Sequence, residues 1–333
     1  MWKICNNTSD SGLLPENAEI KTGEILLSGR DLLKLKKNEL RQARLSEIAL
    51  VFQDPMTYLN PVMSIGSQLE EIFTGNLKFC KDDLVSYRLN QIEDELSNNR
   101  GNQDELTREK VRLLELRGKS SIKKREARRL VKLRCKDYLK LVGLPQPEQI
   151  MKMYPFELSG GMRQRAMIAM ALVRNPKVLL ADEITTALDV TVQAQVLELI
   201  TELRDKIDAS IILVTHDLGV VAQTCDRVAV MYAGNIVEVA SVNGIFSDPL
   251  HPYTKGLLSS VPRVDTHKEE LASIQGSVPD LIFPPTGCRF HPRCPMAFDK
   301  CLREKPQLAE INPGHFVACF LYTQASEENT QAE

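Results

Sequence analysis

Short apolar runs and stretches of helical period alternate along this chain. Gly23-Glu24-Ile25-Leu26-Leu27 reads as a strand, Ser28-Gly29 as a tight turn and Arg30-Asp31-Leu32 as the return. Ile48-Ala49-Leu50-Val51-Phe52 is a second apolar run, stopped by Gln53-Asp54-Pro55. Val85, Leu89, Ile92 and Leu96 then fall at helical spacing. A turn at Asn98–Asn102 follows, with further helix over 106–116 and 122–141: a helical hairpin or short coiled-coil arm. A Met-, Ala- and Leu-rich helix opens at Ser159-Gly160-Gly161. Lys177–Ala181 reads as a buried strand, Val192–Ile207 as an amphipathic helix and Ser210–Thr215 as the next buried strand, a βαβ unit. Val228–Tyr232 and Asn235–Val239, joined by Ala233-Gly234, make a hairpin. From about Ser247 prolines and short segments replace this alternation.

Two places in this pattern carry chemistry for a nucleoside triphosphate. Leu158-Ser159-Gly160-Gly161 opens a helix, and a helix N-terminus offers free N–H groups and partial positive charge to phosphate. The glycines allow close backbone approach, and Ser159 adds a hydroxyl. The second is the strand 177–181, which ends in Asp182 and Glu183; one carboxylate suits Mg²⁺ and the other suits orienting or deprotonating water. His216 ends the following strand, where ligands gather in open α/β sheets.

LSGGMRQR followed by LLADEITTALD resembles the signature motif, Walker B segment and D-loop of an ABC-transporter ATPase subunit, in wording nearest the oligopeptide and dipeptide importers. The resemblance runs from about Leu13 to Tyr322, apart from the region 76–140. It implies an α/β fold: an ABC-type ATPase core with a mixed, largely parallel sheet, incomplete at the N-terminus, plus a helical subdomain insert and a small cysteine-bearing C-terminal domain. The divisions it implies are 1–75 (partial core with Q-loop), 76–156 (helical subdomain), 157–246 (signature, Walker B, D-loop, switch histidine) and 247–333 (peptide-importer extension). It makes Glu183 and His216 catalytic, and Gln53, Asp182, Ser159, Gly160, Gly161 and Gln164 nucleotide- or Mg²⁺-binding. Leu188 and Asp189 become the D-loop that touches a partner ATPase. Ile184 stands where the subfamily usually has proline, which is expected to loosen the turn after Glu183.

Composition adjusts the picture in three ways. No apolar run approaches the roughly 18 residues of a membrane span, and MWKICNNTSD lacks a signal-peptide segment, so a cytoplasmic chain reaching the membrane through a partner is expected. The net charge of −2 gives no overall bias toward nucleic acid, although residues 100–140 carry fifteen Lys/Arg against six Asp/Glu. Of eight cysteines, Cys288, Cys294, Cys301 and Cys319 are spaced C-x5-C-x6-C-x17-C. Thiolates are soft ligands for zinc or iron–sulfur clusters. The resemblance implies a structural [4Fe–4S] cluster, with zinc as the alternative, four plain thiols as a third reading, and His291 and His315 as substitute ligands.

A P-loop, GxxxxGK[ST], is expected ahead of the Q-loop segment and does not occur in these residues; the string Gly118-Lys119-Ser120 has Leu at position 113 and no preceding strand. Two expectations follow: a truncated or decayed gene product, or a subunit whose own ATP site is dead while its signature completes a partner's. The partners implied are a second ABC ATPase subunit, in a heterodimer, two membrane permease subunits and, indirectly, an extracytoplasmic peptide-binding protein, with the chain at the cytoplasmic face. A soluble ABC ATPase working on ribosomes or DNA is the other functional class; the basic arm points toward it, and the EITTALDVT wording and cysteine-bearing tail point to transport, with no nucleic acid partner.

Overall fold

The computed structural model describes residues 20, 22–52, 58–74, 77–117, 123–184, 189–261 and 273–322, side chains of 74–81 and 205 excepted. They fall into two compact units, the first ending at Val214 and the second beginning at Thr215. The expected division at 246/247 moves upstream, because the hairpin at 227–241 pairs with a strand near the C-terminus.

The first unit begins with an antiparallel pair, β1 (Leu26–Leu27) and β2 (Arg30–Asp31), followed by α1 (Lys37–Ser46) and β3 (Ile48–Val51). A helical region follows: α2 (Ile65–Thr74), α3 (Leu77–Ser97), α4 (Gln103–Leu116), α5 (Lys124–Leu141) and the short α6 (Pro147–Ile150). Then come α7 (Gly160–Leu172), β4 (Val178–Asp182), α8 (Val190–Lys206) and β5 (Ser210–Val214). The strands β3, β4 and β5 form a parallel sheet in that order, with Ile48 opposite Val178 and Val178 opposite Ser210. The central strand β4 is apolar through Leu179, Leu180 and Ala181 because helices cover a parallel sheet on both faces. β5 pairs only with β4 among the described residues, and its Ile212 is 46% exposed.

The helix α7 is buried nearly all round, with Ala166, Met167, Ile168 and Ala169 inaccessible to solvent, as a helix lacking a polar face requires. Arg165 is no free surface residue: its Nη1 donates to Val142 O at 2.9 Å and ties α7 to the end of α5. The arm α3–α5 has a true core of Leu84, Val85, Ile92, Leu113 and Leu130. Inside it lies Arg134, 1% exposed, its guanidinium carbon 4.7 Å from the Tyr87 ring centroid and its Nη1 2.5 Å from Asp83 Oδ2.

The second unit contains α9 (Leu218–Thr224), β6 (Arg227–Tyr232), β7 (Asn235–Ser241), α10 (Val242–Ser247), α11 (Pro252–Ser259), α12 (Asp299–Arg303), β8 (Ala309–Asn312) and β9 (His315–Val317). Its antiparallel sheet runs β6-β7-β9-β8. Ala233 (φ 45°) and Gly234 (φ 79°) both turn left-handed, as the tightest hairpins demand.

Candidate functional site

The candidate nucleotide-binding residues of the first unit stand at two element ends. Ser159 caps α7: its backbone is extended and its Oγ accepts from Met162 N at 3.3 Å. Gly160 and Gly161 form the first turn, where backbone N–H groups lack intrahelical acceptors. A Cβ on Gly161 would lie 2.6 Å from Val192 Cγ1, so the glycine lets α8 lie against the signature turn. Asp189 caps α8, its Oδ1 accepting from Val192 N at 2.9 Å. The D-loop residue and the signature are thus joined through Val192.

At the tip of β4, Asp182 is 7% exposed and Glu183 half-buried. Glu183 has φ +48°, a left-handed backbone that costs a non-glycine residue about 1–3 kcal/mol and that clusters at functional sites. Its N–H donates to Val214 O at 2.9 Å, which extends the β4–β5 ladder by one rung and holds the twist. Ile184 does not loosen this turn: it is 1% exposed and belongs to the main apolar core. Gln164 is buried in α7 at 1% exposure, its Nε2 without a partner among the described residues, so it does not share the accessible face of Ser159. Gln53 and Leu188 lie outside the described residues. His216 opens the second unit and is exposed, with Asp217 beside it capping α9 through Gly219 N at 2.8 Å.

A cleft of about 700 Å³ opens beside the end of β3. Phe52, Tyr58, Ile72 and Met170 give it an apolar floor, and Arg41 and Arg44 lie at its wall. Sequence reasoning missed it, because its walls come from α1, β3, α2 and α7.

In the second unit Cys288, Cys294, Cys301 and Cys319 line one small cavity with His251 and His291. Its free volume is about 10 Å³, room for one water at most. As placed, no three or more His, Cys, Asp or Glu among the described residues form a group that could hold a metal ion. The donor set is therefore gathered but not spread into ligating geometry. Burial pushes the Cys319 thiol up to about 11 and raises those of Cys288 and Cys294. Gly287 (φ +67°) is fixed by this fold, since a Cβ there would meet Cys301 O at 2.4 Å. His315 is not a spare ligand: its Nε2 lies 2.8 Å from the fully buried Glu238 Oε1, and Glu238 also accepts from Leu250 N and His251 N. That buried carboxylate had no signal in the sequence. The arginines of the Cys288–Cys294 segment have structural roles: Arg289 donates to Ala233 O, and Arg293 Nη2 to Ile274 O at 2.8 Å.

Residues 12–186 match the family of ABC transporters, and residues 237–301 match the family described as the oligopeptide/dipeptide transporter C-terminal region. The oligopeptide transport ATP-binding protein AppD of Bacillus subtilis is 43% identical, over 98% of this chain and 86% of its own length. The dipeptide transport ATP-binding protein DppD of Bacillus subtilis is also 43% identical, over 98% and 83%. The oligopeptide transport ATP-binding protein OppD of Escherichia coli is 42% identical over 93% and 77%. Among solved structures, cbiO1 from Clostridium perfringens, part of the ABC transporter complex cbiONQ, superposes with a TM-score of 0.51 at 23% identity, over 74% of this chain and 75% of that one. That likeness shows the fold.

Proposed function

Since this chain belongs to the ABC-transporter ATP-binding family, in its oligopeptide/dipeptide branch, we propose that it is an ATPase subunit energising peptide import through membrane permeases. The family's cofactors are ATP and Mg²⁺. The observation that carries the reading is the pair of element ends in one unit: the Ser159-capped helix beside the D-loop helix, and the Asp182–Glu183 strand tip with its left-handed Glu183. Among the described residues no helix is long and apolar enough to cross a membrane, and the cleft at Phe52, Tyr58 and Ile72 is a candidate surface for the permeases.

The chemistry divides between the two ends. Ser159 Oγ and the N–H groups of Gly160 and Gly161 would grip the phosphates of a nucleotide. Asp182 would hold Mg²⁺, and the ion would neutralise developing charge on the phosphates. Glu183 would take a proton from attacking water. The phosphates that Ser159 would grip are cradled by the P-loop of a second ATPase subunit, in a heterodimer.

Cys288, Cys294, Cys301 and Cys319 would hold a thiophilic centre that staples a unit of short elements. Family resemblance favours a [4Fe–4S] cluster, with zinc as the alternative. Metal analysis of anaerobically purified protein decides between them. The transport reading is tested by co-expressing the chain with the two permeases: joint purification and peptide-stimulated ATP hydrolysis are expected, and a chain that leaves both permeases behind contradicts it.

A further inference from the structure

The helical arm spends part of its charge in ion pairs and leaves one end basic. Glu109 and Glu126, with side chains 11% and 10% exposed, are each held by arginines: Arg88 and Arg129 on Glu109, Arg112 and Arg129 on Glu126. Glu93 pairs with Lys110 at 2.8 Å. At the far end of the arm Arg117, Lys123, Lys124, Arg125 and Arg128 are exposed and have no ion-pair partner among the described residues. Six Lys/Arg and one acid stand between Arg117 and Arg128.

Local stability does not account for this arrangement. Basic side chains in the first turn of a helix oppose its dipole, and Lys124 and Arg125 stand there after the N-cap Lys123, against the single acid Glu126. Lys124 with Arg128 and Arg125 with Arg129 are like-charge pairs at i,i+4, which destabilise a helix. A merely solvated face would mix signs. On α4, Val111 and Leu114 are 54% and 47% exposed, adding aliphatic surface near the charges. Residues 103–128 contain no aromatic ring, so a base-stacking platform is missing.

We propose that this end of the arm docks on an anionic phospholipid surface, its basic side chains on the headgroups and Val111 and Leu114 at the interface. The proposal rests on the reading that the chain works beside membrane permeases, which puts such a surface within reach. Each basic side chain near an anionic bilayer strengthens binding roughly fivefold, so losing three weakens it about 100-fold.

The test is flotation of the purified full chain with phosphatidylcholine vesicles, with and without phosphatidylglycerol. Binding is expected only with phosphatidylglycerol, and raising the salt should release it. The variant K123Q/K124Q/R125Q should lose about 100-fold in partitioning, and K123E/K124E/R125E more than that. The variant K37E/K152E/K305E, with the same net charge as the triple charge reversal and exposed sites elsewhere, should bind as the parent does. Circular dichroism checks that all variants stay folded. Three results overturn the proposal: no binding to anionic vesicles, equal loss in both charge-reversed variants, or tighter binding to a single-stranded RNA than to the vesicles at equal salt. Co-purification with permeases is read separately. If it persists while vesicle binding is absent, only this inference fails; if it is absent while vesicles bind, only the transport reading fails.

Discussion

Gly161→Ala puts the packing between signature and D-loop helix to a direct test. The new methyl carbon would stand 2.6 Å from Val192 Cγ1, about 1 Å inside an ordinary carbon–carbon contact. Val192 cannot turn away cheaply, because a β-branched side chain in a helix has one strongly favoured rotamer. Overpacking of this kind costs about 1–3 kcal/mol, and replacing glycine by alanine in a helix returns roughly 0.5–1 kcal/mol. The expected net loss is about 1–2 kcal/mol, read as a lower midpoint in urea unfolding followed by circular dichroism. Val192→Ala alone should cost about 1 kcal/mol, for the loss of half-buried methyls. In the double variant the clash is gone, so the two changes should couple favourably by at least about 1 kcal/mol. Strict additivity, or a Gly161→Ala protein as stable as the parent, would refute the packing argument. If stability returns in the double variant and ATP hydrolysis does not, Gly161 also serves the approach of a ligand to the backbone.

Two further predictions follow from buried groups. Asp83→Ala should cost about 2–4 kcal/mol in denaturant unfolding, since it strands a buried guanidinium, whereas Arg134→Met should cost under about 1.5 kcal/mol, since it leaves a half-exposed carboxylate that water can reach; equal costs would contradict this. Cys301→Ser should lower metal content and the melting temperature together, and a chelator should lower the melting temperature of the parent but not of the variant. Unchanged metal content in Cys301→Ser would remove the four-thiol centre from the account.

What the sequence made legible was mostly local. The run Val178–Asp182 had to be a buried parallel strand, and Ser159 with its two glycines announces the helix start it caps, whereas the caps Asp189 and Asp217 went unread. The left-handed residues at 233–234 follow from an Ala-Gly turn between two apolar runs. Features that depend on distant pairing stayed hidden. The unit boundary shifted because β7 pairs with β9, some eighty residues on, which no local pattern encodes. His315 looked like a metal ligand, and only the fold reveals that Glu238 claims it. Three ion pairs of the arm, Arg88–Glu109, Arg112–Glu126 and Arg129–Glu109, join residues 14 to 21 positions apart across a helical turnaround, so the sequence showed an excess of positive charge without showing which charges were spent. The left-handed backbone of Glu183 had no signal at all, because glutamate rarely adopts it.

The central claim is that Ser159-Gly160-Gly161 completes a nucleotide site whose phosphate loop belongs to another subunit. It is tested most directly by assembling the chain with its permeases and a P-loop-bearing ATPase subunit, then comparing ATP hydrolysis in Ser159→Ala with that of the parent. Ser159→Ala should slow hydrolysis roughly 10- to 100-fold. Hydrolysis within about twofold of the parent would contradict the account.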